Sequence, residues 1–326
     1  MSALFELENL RVQFDTKRGK LHAVRGVTLH IAAGECLGIV GESGSGKTVM
    51  WRAAMGLLRG KKVHRSGSVR FSGRELLPMS AKEVRHFWGT EIAMVFQDPM
   101  TALNPVRRIG SQFSEALVKR LRMDKAAANE RVVELLRLVR MPEPEKLVRK
   151  YPLQLSGGMR QRVMIAMAIA CNPKLLLADE PTTALDVTVQ AQVLELLSDL
   201  REKLGMGMVI VTHDLGIVAG HSDRIAVLYA GEVVELATTR SLFARTRMPY
   251  TEALLKSIPR LDGKRGETLQ AIEGAPPDPV AQTVACFFAP RCRYATEKCR
   301  TEHPELLDDG TGHWYRCFYP LKAPAQ

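Results

Sequence analysis

The stretch "GESGSGKT", residues 41–48, decides the fold of this chain. It has the pattern of a glycine, four residues, a second glycine, a lysine and a hydroxyl residue, in which backbone N–H groups can surround phosphate oxygens. It follows the apolar, β-prone run "ECLGIV" and precedes "VMWRAAMGLL", a segment able to form a helix. This order of strand, loop and helix predicts a phosphate-binding loop that holds ATP or GTP.

The residue types of the loop predict how the nucleotide is held. Lys47 is expected to reach the β and γ phosphates, and the hydroxyl of Thr48 is expected to bind Mg²⁺. The amino terminus of the following helix adds a partial positive charge. The predicted ATP-binding residues of the loop are Gly41, Ser43, Gly44, Ser45, Gly46, Lys47 and Thr48.

A second apolar run, "KLLLADEP" at residues 174–181, ends in two carboxylates. Because ligands gather at the carboxyl ends of parallel strands, this position predicts that the acids lie near the bound phosphates. Asp179 is suited to the coordination shell of the metal ion. Glu180 is suited to act as a general base that orients or deprotonates the attacking water.

Composition and charge set limits on the class of protein. The 326 residues are 46% hydrophobic and 25% charged, which is typical of a folded, non-fibrous protein. The formal charge of +11 comes from scattered Lys and Arg, so it favours neither nucleic acid nor a membrane surface over a plain basic exterior. The first residues, "MSALFELENLR", place Glu6 and Glu8 where a secretory signal would need a basic start and an apolar run, so no such signal is expected. The longest apolar run, "VMIAMAIAC", has about half the length of a membrane span.

The segment "LQLSGGMRQRVMIAMAIA", residues 153–170, separates this chain from other nucleotide-binding classes. Residues 155–161 resemble the signature motif of the ATP-binding cassette (ABC) family, with Met159 where the family's general pattern has Gln. Residues 41–48 and 175–180 fit the two Walker motifs of the same family. The resemblance implies an α/β fold of the P-loop NTPase class, with a RecA-like core, an antiparallel β subdomain and a helical subdomain.

Further elements of the ABC family occur in the expected order over about residues 4–260. Gln97 in "MVFQDPMTALNP" resembles the Q-loop and is expected to act in catalysis and in the metal shell. The motif at 184–186, with Asp186, resembles the D-loop, and His213 in "VIVTHDL" resembles the switch histidine that senses the γ phosphate. Phe14 is placed where the family often stacks an aromatic ring on adenine, although a core aromatic is an equal reading.

The resemblance implies that two cassettes pack head to tail. Each ATP would then lie between the phosphate loop of one subunit and the signature motif of the other, so that ATP favours the closed dimer and ADP the open one. A helix amino terminus in the signature offers a second anion-binding surface. The residues expected to meet the partner's ATP are Ser156, Gly157, Gly158 and Gln161.

Three longer segments are similar to the peptide-importer branch of the family: "VFQDPMTALNP", "LADEPTTALDVTVQAQVLELL" and "MPYTEALLKSIP". The resemblance implies a peripheral ATPase at the cytoplasmic face of a bacterial membrane. Its partners would be a second ATPase, identical or different, two permease subunits and, indirectly, an extracytoplasmic binding protein. Import of nickel or another small solute is the nearer alternative. A nucleic-acid- or ribosome-associated cassette protein is the more distant one, and no nucleic acid is expected as a partner.

The carboxyl-terminal region contains four of the six cysteines. A Pro- and Gly-containing connection over 259–279 predicts a division into a cassette domain, 1–258, and an extension, 259–326, that leads out of the cassette and has little apolar sequence for its own core. Disulfides do not suit a reducing compartment, so a metal centre is expected. The four predicted ligands are Cys286, Cys292, Cys299 and Cys317.

A [4Fe–4S] cluster and zinc are the two candidate metal centres, and free thiols without a metal are the third alternative. The spacings of five, six and seventeen intervening residues, without paired Cys-x-x-Cys knuckles, favour the corners of a larger cluster. A similar Cys-rich tail in the peptide-importer ATPases, for which a cluster is inferred, supports the same choice. Several Arg and Lys residues near the cysteines are expected to lower the pKa values of the thiols.

Overall fold

The structure is a computed structural model that describes residues 3–98, 102–183, 185–258, 272–281 and 283–322. The strands are β1 (Ala3–Thr16), β2 (Gly19–Ala32), β3 (Cys36–Val40), β4 (Val63–Phe71), β5 (Arg74–Glu75), β6 (Ile92–Val95), β7 (Leu175–Asp179), β8 (Gly207–Thr212), β9 (Arg224–Tyr229), β10 (Glu232–Thr238), β11 (Leu307–Asp308) and β12 (Trp314–Tyr315). The helices are α1 (Lys47–Ala54), α2 (Ala81–Val84), α3 (Ile109–Leu121), α4 (Lys125–Leu138), α5 (Pro144–Leu147), α6 (Gly157–Ile169), α7 (Val187–Leu204), α8 (Leu215–Ala219), α9 (Thr239–Ala244), α10 (Pro249–Lys256) and α11 (Glu297–Thr301).

The chain forms two compact units. The first consists of Met1–Ala32, Cys36–Met79 and Val211–Gln326, and the second of Ala33–Glu35 and Ser80–Ile210. The phosphate loop and the cysteine-rich region therefore belong to the first unit, and the signature segment belongs to the second. In this division the residues after 271 are part of the unit that begins the chain.

The first unit contains an antiparallel sheet in the order β2-β1-β4-β5 and strands in the order β11-β12-β10-β9-β3. Strand β3 runs parallel to β9, and all five of its residues are buried. A strand that is covered on both faces has no polar side, which explains why "CLGIV" is an unbroken apolar run. The predicted strand, loop and helix at residues 36–54 is confirmed, and it places residues 41–46 between β3 and α1.

In the second unit, β6 is parallel to β7, and β8 lies on the other side of β7. Helix α6 packs against α4 and α7. Helix α7 buries Val193, Leu196, Leu197 and Leu200 along one side. Within the part of the chain that the structure describes, no helix is both long enough and apolar enough to cross a membrane.

The connection after the cassette takes a different course from the predicted one. Residues 259–271, where that connection begins, lie outside the described residues. Pro279 O accepts hydrogen bonds from His22 N at 2.9 Å and from Arg25 Nη2 at 3.1 Å. Asp278 pairs with Arg18. Residues 278 and 279, at the end of the connection, are therefore bound to β2 and to the turn before it, and they do not lead away from the first unit.

The cysteine-rich region also shares a core with the preceding residues. Phe288 is 3% exposed, and its ring lies 5.4 Å from that of Tyr229 and 5.3 Å from that of Tyr250. Strand β12 pairs with β10 in antiparallel register, Trp314 opposite Leu236. The sequence predicted a region without a core of its own, and the structure shows that it uses the core of the first unit instead.

A buried polar pair attaches β12 to the strand beside it. His313 Nε2 lies 2.7 Å from Glu235 Oε1, and the side chains are 1% and 0% exposed. His313→Leu is expected to lower the free energy of unfolding by about 3 kcal/mol, because it leaves a buried carboxylate without one partner. Equilibrium unfolding in denaturant measures this loss.

The matched control is His64→Leu, which removes a pair with Asp15 of the same 2.7 Å length but with side chains that are 48% and 43% exposed. Because water screens an exposed pair, this control should change stability little. Equal losses in the two variants would contradict the importance of the buried pair.

Candidate functional site

The phosphate loop has a backbone that only glycine can follow. Gly46 has φ +97°, and a Cβ on it would lie 2.3 Å from Ala23 O. Lys47 Nζ donates hydrogen bonds to Gly41 O at 2.6 Å and to Glu42 O at 3.0 Å, so the ammonium is held across the loop. Ser45 is 5% exposed, and its buried hydroxyl has no hydrogen-bond partner among the described residues. These groups suit a bound phosphate, which accepts hydrogen bonds.

Glu42 of the loop has partners that the sequence did not reveal. Its backbone N–H donates to Tyr250 Oη at 2.9 Å. Its carboxylate accepts two hydrogen bonds from Arg291, at 2.7 Å and 2.9 Å. Arg291 lies between two of the predicted cysteine ligands, so a side chain from the carboxyl-terminal region holds the phosphate loop directly.

The two carboxylates at the end of β7 have different surroundings. Asp179 is 2% exposed. Glu180 is half-buried and has φ +47°, a left-handed conformation that is uncommon for a residue with a side chain and that clusters at functional sites. Its Oε2 accepts hydrogen bonds from Gln97 Nε2 and from Thr183 Oγ1, both at 2.9 Å. The structure thus brings Gln97 and Glu180 together, and Thr183 is a neighbour that sequence reasoning missed.

Other predicted residues lie at exposed or half-exposed positions. His213 is exposed, directly before the N-cap of α8. Asp186 caps α7 by accepting a hydrogen bond from Val189 N at 3.0 Å, and Ala184 of the same motif lies outside the described residues. Phe14 is half-buried on β1, opposite Leu21 of β2, so it is not a core residue.

The signature segment forms the start of α6. Ser156 caps the helix, and its Oγ accepts a hydrogen bond from Met159 N at 3.3 Å. A Cβ on Gly158 would lie 2.7 Å from Val189 Cγ1, so this glycine permits close approach to α7. Gln161 is only 2% exposed. Its Nε2 has no hydrogen-bond partner among the described residues, and its contact with a nucleotide on another subunit stays a prediction.

The four carboxyl-terminal cysteines surround one small cavity. Cys286, Cys292, Cys299 and Cys317 all line it, together with Met248, Phe288 and other apolar side chains, and its volume is about 20 Å³. Within the described residues, none of the six cysteines forms a disulfide. Within the described ranges, no group of three or more His, Cys, Asp or Glu side chains has a geometry that could hold a metal ion. The cysteines thus converge, but not as a preformed site for one ion.

The thiol pKa values differ from the prediction. Burial raises the pKa values of Cys286 and Cys292, and it raises the pKa of Cys317 to about 11. The nearby cations were expected to lower these pKa values. Arg293 does lower the pKa of Cys292, but burial raises it more, and Arg291 is directed towards Glu42. Neighbouring cysteines raise the pKa values further, because adjacent thiolates repel each other.

Two protein-family models match separate parts of this chain. Residues 24–183 match the family model described as ABC transporter, and residues 234–299 match the one described as oligopeptide/dipeptide transporter, C-terminal region. The chain is similar to the dimeric post-hydrolysis structure of the ATP-binding cassette MJ0796 bound to ADP and Pi, with 31% identity and a TM-score of 0.65, over 72% of this chain and 99% of that one.

Curated relatives extend the similarity across the whole sequence. The oligopeptide transport ATP-binding protein AppD of Bacillus subtilis (strain 168) is 48% identical over 98% of this chain and 97% of its own length. The dipeptide transport ATP-binding protein DppD of Haemophilus influenzae is 47% identical, over 98% of this chain and 96% of that protein. The chain therefore belongs to the ABC transporter ATPase family, in the branch of oligopeptide and dipeptide transport ATP-binding proteins.

Proposed function

We propose that this chain is the ATP-hydrolysing subunit of an importer that takes up oligopeptides or dipeptides through membrane permease subunits. The observation that carries the chemistry is the Glu180 carboxylate, held by Gln97 and Thr183 at the end of a buried strand. The peptide substrate is supported by relatives named for peptide transport, whose similarity continues through the carboxyl-terminal region.

Each site residue has a role in this proposal that its chemistry allows. The phosphate loop binds the triphosphate through Lys47 and its backbone N–H groups. Thr48, Asp179 and Gln97 supply the oxygen ligands that Mg²⁺ prefers. Bound Mg²⁺ would neutralise charge on the phosphates.

The same proposal assigns the hydrolytic step to the second carboxylate. Glu180 takes a proton from the attacking water, and His213 senses the γ phosphate. Phe14 is proposed to stack on the adenine ring.

The proposed assembly contains two ATPase subunits, identical or different, on two permease subunits at the cytoplasmic face of the membrane. Ser156, Gly157 and Gly158, at the amino terminus of α6, would meet the nucleotide of the partner subunit. Gln161, the fourth residue of this predicted set, is buried in the single chain and is proposed to contribute to the same contact. Asp186 lies directly before α7 and would lie at the same interface.

Uptake in cells of the source organism tests the substrate class. A strain with Lys47→Ala should lose ATP-dependent uptake of labelled di- or oligopeptides and retain uptake of labelled nickel. Loss of nickel uptake with normal peptide uptake would show that the transported substrate is a metal ion and not a peptide. Retention of both activities would refute a role of this chain in either transport process.

For the carboxyl-terminal region, we propose a [4Fe–4S] cluster held by Cys286, Cys292, Cys299 and Cys317. Support comes from the convergence of these four thiols on one cavity. Four cysteine ligands are what such a cluster requires, and the raised pKa values mean that binding must displace protons. Bound there, the cluster would link segments 286–299 and 317 covalently.

Anaerobic purification followed by iron, sulfide and zinc analysis tests this proposal. We expect about four iron and four sulfide per chain. Cys292→Ser should lower this content, whereas Cys171→Ser, a change to a free thiol of the second unit, should not. One zinc per chain without iron would refute the cluster and leave the ATPase proposal unaffected.

A further inference from the structure

We propose that Arg291 is a positioning residue for ATP binding: it holds the phosphate loop through Glu42 and so links the cysteine-bearing segment 286–292 to nucleotide affinity. The inference rests on the proposed binding of ATP at residues 41–48. It adds a group that touches no nucleotide and lies outside both Walker motifs.

The side chain of Arg291 is fully engaged. Its guanidinium has five N–H donors, and each has an acceptor in the structure. Two bind the Glu42 carboxylate, one binds Tyr229 Oη at 3.3 Å, one binds Ile272 O at 3.2 Å, and Nε binds Glu273 O at 2.9 Å. The side chain is only 4% exposed, so this geometry is fixed by its surroundings.

The fixed guanidinium in turn fixes Glu42. A fork of two parallel hydrogen bonds restrains the orientation of the carboxylate as well as its distance. The backbone of Glu42 is restrained at both ends, since its N–H binds Tyr250 Oη and its carbonyl accepts from Lys47 Nζ. If Glu42 shifts, its carbonyl oxygen moves as well. This oxygen holds the ammonium group of Lys47, which is expected to bind phosphate.

The same segment is tied to the cysteine-lined cavity. Arg291 ends a turn at Ala289–Arg291, between Cys286 and Cys292, which line the cavity. Phe288 of this segment also lines it, and the ring of Phe288 packs on Tyr250, the partner of the Glu42 N–H. A change in the cavity can thus reach the phosphate loop by two short routes, one through Arg291 and one through Tyr250.

Equilibrium binding of MgATP to the purified full chain tests the proposal. Arg291→Gln should raise Kd about ten- to hundredfold. Arg291→Lys should give a smaller rise, because it keeps the charge and loses the fork. The matched control is Arg293→Gln, two residues away, which removes a cation that pairs with Glu252 and not with the phosphate loop. Its Kd should equal that of the unchanged chain.

A double-mutant cycle separates positioning from general stabilisation. If Arg291 acts through Glu42, then Glu42→Gln combined with Arg291→Gln should bind MgATP no more weakly than Arg291→Gln alone. Additive losses, or an equal loss in Arg293→Gln, would refute the proposal. If Arg291→Gln does not fold, Glu42→Gln alone must raise Kd; unchanged binding in that variant would also refute it.

Amide hydrogen exchange tests the coupling between the two sites without relying on the measured Kd. If Arg291 couples the two sites, bound MgATP must slow amide hydrogen exchange in residues 286–292, and Arg291→Gln must abolish this protection. Lys47→Ala separates the two proposals. If Lys47→Ala loses ATP binding while Arg291→Gln keeps both binding and protection, only the positioning role fails. If Lys47→Ala binds ATP normally, the proposed nucleotide site itself fails.

Discussion

Glu180→Gln is expected to lower kcat for ATP hydrolysis about a thousandfold and to leave MgATP binding unchanged. The amide has the same shape as the carboxylate, and it can still accept a hydrogen bond from Gln97 or from Thr183, but it cannot take a proton from water. Single-turnover hydrolysis and equilibrium binding, measured on the same preparation, separate the two effects.

Two further variants make the Glu180 experiment specific. Thr183→Val removes one of the two hydrogen bonds that orient the carboxylate, so it should lower kcat by a smaller factor of about ten. Glu195→Gln removes a carboxylate of the same unit that pairs with Arg140, and its kcat should not change. Normal turnover by Glu180→Gln would exclude Glu180 as the general base.

Gly46→Ala is expected to lower kcat/KM for ATP about a hundredfold. The new methyl group would lie 2.3 Å from Ala23 O, so either the phosphate loop or β2 must move, and the cradle of N–H groups is distorted. The variant should also unfold at a lower temperature, because φ +97° is unfavourable for alanine. Steady-state kinetics and thermal unfolding measure the two effects.

Gly44→Ala is the matched control for the contact that a Cβ on residue 46 would make with Ala23. Gly44 also has positive φ, +82°, but a Cβ on it would meet nothing within 4 Å. This variant should show the conformational cost of about 1–2 kcal/mol without a steric clash. If Gly44→Ala and Gly46→Ala lower kcat/KM equally, the contact with Ala23 is not what restricts residue 46.

The sequence predicted those parts of the site that are encoded by neighbouring residues. The phosphate loop between β3 and α1, the acids after β7 and the Ser-Gly-Gly start of α6 each depend on a short pattern whose strand or helix period is visible in the chain. The convergence of the four cysteines on one cavity was also expected, because their residue type has few other uses in such a segment.

The features that the sequence missed depend on distant residues. Glu42 and Arg291 are 249 positions apart, and nothing in either local pattern indicates that they meet. The course of residues 278–281 along β2 depends on one backbone hydrogen bond, from His22 to Pro279, and on contacts of the Arg18 and Arg25 side chains, whose partners lie 254 to 260 positions away in the sequence. The thiol pKa values were mispredicted because the burial of Cys286, Cys292 and Cys317, which the local sequence does not show, raises these values more than Arg293 lowers that of Cys292.

The pairing of β12 with β10 has a consequence for shortened forms of the protein. Removing the residues after 258 would leave Glu235 and Leu236 of β10 without their partners in β12. An open edge strand of this kind recruits other chains. A protein truncated at residue 258 should therefore self-associate more than the full chain, and size-exclusion chromatography measures this difference.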